Sequence, residues 1–244
     1  MTEAHFQPFA VEQYLSETEH GVSYNFSESG VHPMSYAELF ELAEVDTATL
    51  FATLVDYPQV NGNTLLREPT ASFWGDYERV IAINSMSKAY GLPGLRLGWL
   101  LAPAALIPAL WRRHEYAAIT ATMMSMQLAA QALKLSARGL ITARARGFIR
   151  RGFDTLALGL QEHPGVFSVV PPEASAMSFV KFDLPVSSDE FAARLLAEED
   201  MLVIPGSRFG VEAHFRFSSA LPDAHLRAGL QRLNALTGRI LAAW

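Results

Sequence analysis

The chain contains no cysteine, which excludes disulfides, thiolate nucleophiles and cysteine-based zinc sites together. Long charge blocks are missing too. Asp, Glu, Lys and Arg make up 18% of the 244 residues and are dispersed, so no charged disordered tail is expected. There is no excess of basic residues: the net charge of -6 argues against a general affinity for nucleic acid or anionic membrane. No His-x-x-x-His spacing, Gly-x-Ser-x-Gly elbow or phosphate-binding P-loop occurs, so a histidine metal site, a serine-hydrolase site and P-loop chemistry have no support. His32 and His114 read as polar surface or pocket-wall groups. The opening Met1-Thr-Glu-Ala-His lacks the basic-then-apolar order of a signal peptide, and a cytoplasmic protein is expected. Uncharged runs are scarce. Tyr116–Leu133 is nearly long enough to cross a bilayer, yet it carries Thr120, Thr122, Ser125, Gln127 and Gln131 and has no aromatic belt at its far end. A buried or subunit-facing helix is expected there.

What is present suits a folded protein of one large domain or two small ones, since half of the residues are hydrophobic. No internal repeat or low-complexity tract interrupts it. The N-terminal part predicts a short helix near 9–16, a loop at 25–33, and helices near 35–43 and 47–54. Val80–Asn84 and Leu95–Leu101 are apolar runs that suit buried strands, separated by the turn-forming stretch Ser85–Gly94. From Pro103 to about Gln161 the pattern is helical; Ile141–Leu160 alternates arginines with apolar residues as a long bridging helix would. Beyond Pro164, strands are expected at 167–170, 178–182, 202–204 and 214–218. A helix opened by Ser187 or Ser188 and a closing helix over 222–241 complete a small α+β domain. The expected division is an arm and connector over 1–73, a large-domain segment over 74–150 and a C-terminal domain over 151–244.

The segment Ser85-Met-Ser-Lys88-Ala-Tyr-Gly91-Leu-Pro-Gly94-Leu-Arg96-Leu-Gly98-Trp99 carries the chemistry. A lysine at the end of a buried strand is costly to bury. Burial lowers its pKa, and the neutral amine is a nucleophile toward aldehydes. The hydroxyls of Ser85 and Ser87 and the guanidinium of Arg96 offer a phosphate site beside that amine. Glycines at 91, 94 and 98 let the backbone turn sharply and approach a ligand. An isolated Ser-Lys pair reads more readily as a solvated turn; the whole segment favours an aldehyde that also bears a phosphate.

This segment resembles the cofactor-lysine signature of the class I/II (fold-type I) aminotransferases. The resemblance implies pyridoxal 5'-phosphate (PLP) as cofactor, a Schiff base on Lys88, and phosphate contacts from Ser85 and Arg96. Tyr57-Pro-Gln-Val-Asn-Gly62 with Leu66-Arg67 resembles the family segment whose tyrosine reaches the cofactor phosphate of a neighbouring subunit, which implies a homodimer. His214-Phe-Arg216-Phe-Ser218, after the loop Pro205–Gly210, resembles the strand whose arginine pairs with the substrate α-carboxylate. The arm around Gly30 and Val31 sits where the family closes its substrate pocket, and Asn25–His32 resembles the capreomycidine-synthase-like subgroup. As a lone residue Tyr57 reads better as a half-buried aromatic, and Arg216 equally as a surface ion-pair partner.

The same resemblance exposes an internal gap. Only residues 68–76 lie between Arg67 and Tyr77, where the family places a long block. That block carries the small-residue phosphate loop, the ring stacked on the pyridine and the Asn-Pro-x-Gly asparagine. It also carries the aspartate on the pyridine nitrogen and the tyrosine on the phenolate oxygen. The fold expected is therefore α/β, a truncated fold-type I large domain with a C-terminal α+β domain. The strands flanking Lys88 are expected to lose neighbours and present open edges. Three functions follow: an aminotransferase acting on an α-amino acid and a 2-oxo acid; a PLP-dependent cyclase for an arginine-like amino acid; or a non-catalytic chain that binds PLP or dimerises.

Overall fold

A computed structural model describes residues 9–53, 62, 64–71 and 80–244. In chain order the elements are α1 (Ala10–Thr18), β1 (Tyr24–Asn25), α2 (Tyr36–Leu42), α3 (Thr47–Phe51) and α4 (Thr64–Ala71). β2 (Ala82–Ser85), β3 (Gly98–Leu101), α5 (Ile107–Ala118), α6 (Met123–Ala132) and α7 (Leu135–Gly159) follow. The chain ends with β4 (Phe167–Val169), β5 (Met177–Phe182), α8 (Ser188–Glu199), β6 (Met201–Leu202), β7 (Ile204–Pro205), β8 (His214–Ser218) and α9 (Asp223–Ala242). Two compact units result, Met1–Gly30 with Gly147–Trp244, and Val31–Arg146.

The first unit is built on an antiparallel sheet of order β4-β5-β8-β7. Alternation along β5 and β8 sends Val180, Phe182, Phe215 and Phe217 into the core. α8 and α9 contribute Phe191, Leu195, Leu226, Leu230, Leu233 and Leu236 to the same cluster. Ser187 caps α8: its hydroxyl accepts the Glu190 N–H at 3.1 Å, satisfying one of the donors left open at a helix start. The expected single strand at 202–204 is split. Met201 and Leu202 pair in parallel with Tyr24 and Asn25 of the arm, whereas Ile204 and Pro205 pair with β8. The arm is thereby threaded into this unit, and Phe26 is fully buried against Phe217 with ring centroids 4.5 Å apart. That contact and the β1–β6 pairing place the residues up to Gly30 with this unit.

The second unit gathers Leu39, Leu50, Leu66, Met86, Leu92, Leu95, Leu97, Met126, Leu128, Leu133 and Ile141 around α6. The helix expected over Tyr116–Leu133 is interrupted: Tyr116 and Ile119 are exposed at and just beyond the end of α5, whereas α6 buries Met126, Leu128, Ala129, Ala130 and Ala132. Among the described residues no helix is long and apolar enough to cross a membrane. β2 and β3 form a two-stranded antiparallel ribbon in which Ile83 stands opposite Leu100. These strands are not buried, contrary to the sequence expectation. Ile83 is 75% exposed, and Val80, Ile81 and Leu100 are exposed as well. Their apolar composition suits a sheet covered on both faces, but among the described residues the ribbon has no third strand.

Candidate active site

The loop from Ser85 to Leu97 is held at its base and along its length. Met86 N–H donates to Leu97 O at 3.0 Å, extending the β2–β3 ladder by one bond. Leu92 N–H donates to Met86 O at 3.0 Å, and Gly91 N–H to Lys88 O at 3.2 Å. Met86, Tyr90, Leu92, Leu95 and Leu97 all turn into the core. Alternating anchored apolar residues with polar ones leaves Ser85, Ser87, Lys88 and Arg96 on the outer side of the loop, where Lys88 and Arg96 are exposed. The premise that Lys88 is buried at a strand end is thus corrected: Lys88 is exposed, and among the described residues the ribbon that carries it has no third strand.

The donor set is nonetheless ordered. Ser87 N–H donates to Ser85 Oγ at 3.3 Å, and Ser85 N–H to Asn84 Oδ1 at 2.8 Å, so Ser85 and Ser87 sit on one short arc before Lys88. Arg96 adopts the left-handed region at φ 49°, a conformation that costs a non-glycine residue about 1–2 kcal/mol, and its Nη1 donates to Pro93 O at 3.2 Å. Gly98 is required by space, because a Cβ there would lie 2.8 Å from Asn84 O. Two hydroxyls, a guanidinium and an amine on one braced loop suit the phosphate and aldehyde ends of a phosphorylated aldehyde. Nothing among the described residues supplies the groups expected around the ring of such a molecule.

Arg216 belongs to the other unit. On β8 its neighbours Phe215 and Phe217 face the core, so alternation puts Arg216 on the opposite face together with His214. There it pairs across the strand with Phe179 and lies over the Phe209 ring, 5.7 Å from guanidinium carbon to centroid. Its Nη2 donates to Ser27 O, while Nε is buried without a partner. Burial pushes its pKa down, partly offset by the field of Glu28 and Glu12. No carboxylate among the described residues forms an ion pair with it. A half-buried guanidinium that lies over a ring and keeps an unused N–H has the chemistry to hold an anion. Period-two reading of β8 could have flagged the shared face of His214 and Arg216. The roles of Phe209 and Ser27 had no sequence signal, since both depend on contacts across loops.

Of the remaining candidates, Gly30 closes the first unit and Val31 opens the second. Val31 is buried, and its Cγ2 lies where a Cβ on Gly91 would come within 3.0 Å; it offers backbone rather than side chain. Tyr57 lies outside the described residues. Ser85, Ser87, Lys88 and Arg96 lie along one turn between β2 and β3, and Arg216 lies on β8 in the other unit.

Comparison with known proteins bears on this arrangement. Residues 43–233 match the family model described as aminotransferase class I and II. Capreomycidine synthase of Streptomyces vinaceus is 30% identical over 218 residues, covering 88% of this chain and 54% of that protein. Aspartate aminotransferase of Rhizobium meliloti is 30% identical over 173 residues, 67% of this chain and 42% of the relative. The chain thus spans about half the length of the curated relatives it matches. In fold it is similar to a PLP-dependent aminotransferase from Streptococcus suis, with a TM-score of 0.90 at 17% identity, over 97% of this chain and 99% of that one.

Proposed function

This chain belongs to the class I and II aminotransferases, in a shortened fold-type I form, and from that premise we propose that it binds PLP through Lys88 and serves amino-group transfer between an α-amino acid and a 2-oxo acid. The braced loop that carries Ser85, Ser87, Lys88 and Arg96 together is the observation that supports this reading. Ser85 and Ser87 would donate their hydroxyl hydrogens to the phosphate, and Arg96 would fork onto its oxygens. Lys88 Nζ would hold the aldehyde carbon and, when released by substrate, move a proton to and from the substrate Cα. When bound, PLP supplies the ring that accepts the electrons of the Cα–H bond. Arg216 would take the substrate α-carboxylate in a bidentate pair, which fixes one orientation of the amino acid; the family resemblance assigns the backbone of Gly30 and Val31 to the substrate pocket. A homodimer fits the family segment that contains Tyr57.

A second reading is favoured by the absent central block: PLP is held, but the amino acid is not turned over, because the aspartate that would keep the pyridine nitrogen protonated belongs to that block. Its test and the first are sequential. Purified protein is incubated with PLP, reduced with borohydride and mapped by mass spectrometry, with Lys88→Ala as control. A phosphopyridoxyl mass at position 88 supports PLP binding, and its absence rejects both readings. An amino-acid panel that includes arginine then follows by absorbance. Conversion of the cofactor by any member supports transfer, an arginine-specific cyclic product supports the capreomycidine-synthase-like activity, and no change leaves the binding-only reading.

A further inference from the structure

Arg144, in α7, was singled out by no motif, yet it fastens the segment after Val31, and the start of α2, to α7. Its Nε and Nη2 donate to the two oxygens of Glu38 at 2.5 and 3.2 Å. Nη1 donates to His32 O at 2.9 Å and Nη2 to Pro33 O at 3.4 Å. The side chain is only 13% exposed. Glu38 stands three residues after Ser35, whose hydroxyl accepts the Glu38 N–H at 3.1 Å. In a capping box such a glutamate turns back to the helix start; here both its oxygens are committed to Arg144. The carbonyls that Arg144 holds belong to the two residues that follow Val31. Met34 N–H then donates to Gly91 O at 2.9 Å. Gly91 is closely approached at φ 65°: a Cβ would lie 3.0 Å from Val31 Cγ2, 3.1 Å from His32 O and 3.5 Å from Arg144 Nη1.

A staple between α2 and α7 would need only the carboxylate. Spending further N–H groups on consecutive backbone carbonyls fixes the path of the arm itself, and the planar guanidinium does so in one geometry. We propose that Arg144 is a positioning residue that sets the Val31–Met34 backbone against the Gly91 turn, and so fixes the arm relative to the loop that carries Lys88. The proposal rests on the reading of Lys88 and Val31 given above, but the geometry it invokes lies wholly within Val31–Arg146.

The test compares wild type with Arg144→Met, Arg144→Lys and Glu38→Gln by amide hydrogen exchange and by titration with two probes. PLP reports the Lys88 loop, and N-phosphopyridoxyl-L-alanine reports the loop and the arm together. In Arg144→Met the Met34 amide should exchange about tenfold faster or more, with the β2–β3 amides unchanged. PLP affinity should stay within about threefold while phosphopyridoxyl-alanine affinity falls about tenfold or more. Arg144→Lys should fall between, since it keeps the charge and loses the fork. A purely structural ion pair would lower the unfolding midpoint and leave the ratio of the two affinities unchanged, and that result overturns the proposal. Should Arg144→Met fail to fold, Glu38→Gln, which keeps shape and removes charge, is judged by the same ratio. Should wild type take up neither probe, the assignment of function falls, and the Met34 exchange rate alone decides whether Arg144 positions the arm.

Discussion

Replacing Gly229 by alanine sets two effects of opposite sign against each other. Gly229 lies within α9, where alanine is favoured over glycine by about 0.8–1.0 kcal/mol. On propensity alone the change stabilises. Its Cβ, however, would come 2.0 Å from Phe26 Cζ and 2.2 Å from Cε2, where carbons in contact prefer about 3.5–4.0 Å. The ring would have to retreat by about 1.5 Å. It has nowhere to go: Phe26 is fully buried, is stacked at 17° on Phe217 and sits 5.3 Å from His225. Overpacking costs about 1–3 kcal/mol, and complete expulsion of the ring approaches the roughly 3–5 kcal/mol typical of Phe→Ala. The balance is a loss of about 2 kcal/mol, or a melting temperature lower by about 4–8 °C. Gly139, exposed in α7, has no atom within 4 Å of the place a methyl group would occupy. It is the matched control, and Gly139→Ala should gain up to about 1 kcal/mol. Urea and thermal unfolding of both variants read the difference. The packing argument is wrong if Gly229→Ala proves as stable as wild type while Gly139→Ala gains. Combining Gly229→Ala with Phe26→Ala should cost less than the sum, because the clash has lost one partner. Ser27, which follows Phe26, offers its carbonyl to Arg216, so the same variant should also weaken carboxylate binding.

Three other perturbations test separate parts of the reasoning. Gly91→Ala places a side chain at φ 65° and 3.0 Å from Val31 Cγ2; a loss of about 2 kcal/mol in urea unfolding is expected, and a neutral result would refute the close approach. Burial holds the His225 pKa below its ordinary 6.5, so the folded state resists its protonation. Its contribution is present above about pH 6.5 and is lost as pH falls through the lower folded value. The melting temperature of wild type should therefore drop more steeply below about pH 6.5 than that of His225→Phe, which keeps the stacking without the charge. Ile83→Lys should reduce light scattering by concentrated protein without lowering the melting temperature, because the residue is exposed on an apolar ribbon and only its surface character changes; unchanged scattering would remove the ribbon as a sticky edge.

Much of this protein was legible from local patterns. The turn that carries Lys88 and its serines could be placed between two strands, because glycine and proline between two apolar runs mark such a loop. The strand His214–Ser218 matched residue for residue, since period-two alternation with aromatic residues admits little else. Ser187 as the cap of α8 followed from the preference of hydroxyls for open N–H groups. What no local pattern contained was the company those elements keep. The apolar runs around Lys88 read as buried, yet burial belongs to the neighbours, and the family block that would provide them is absent from between Arg67 and Tyr77. The 202–204 strand split because Met201–Leu202 and Ile204–Pro205 pair with different partners, one of them the arm, from a distant part of the sequence. The arm's attachment through Phe26 and Gly229, the contact of Arg216 with Ser27, and the hold of Arg144 on His32 and Pro33 all join residues far apart in the chain. Sequence determines which groups exist and their local geometry, while desolvation and ion pairing depend on distances that only the folded chain sets.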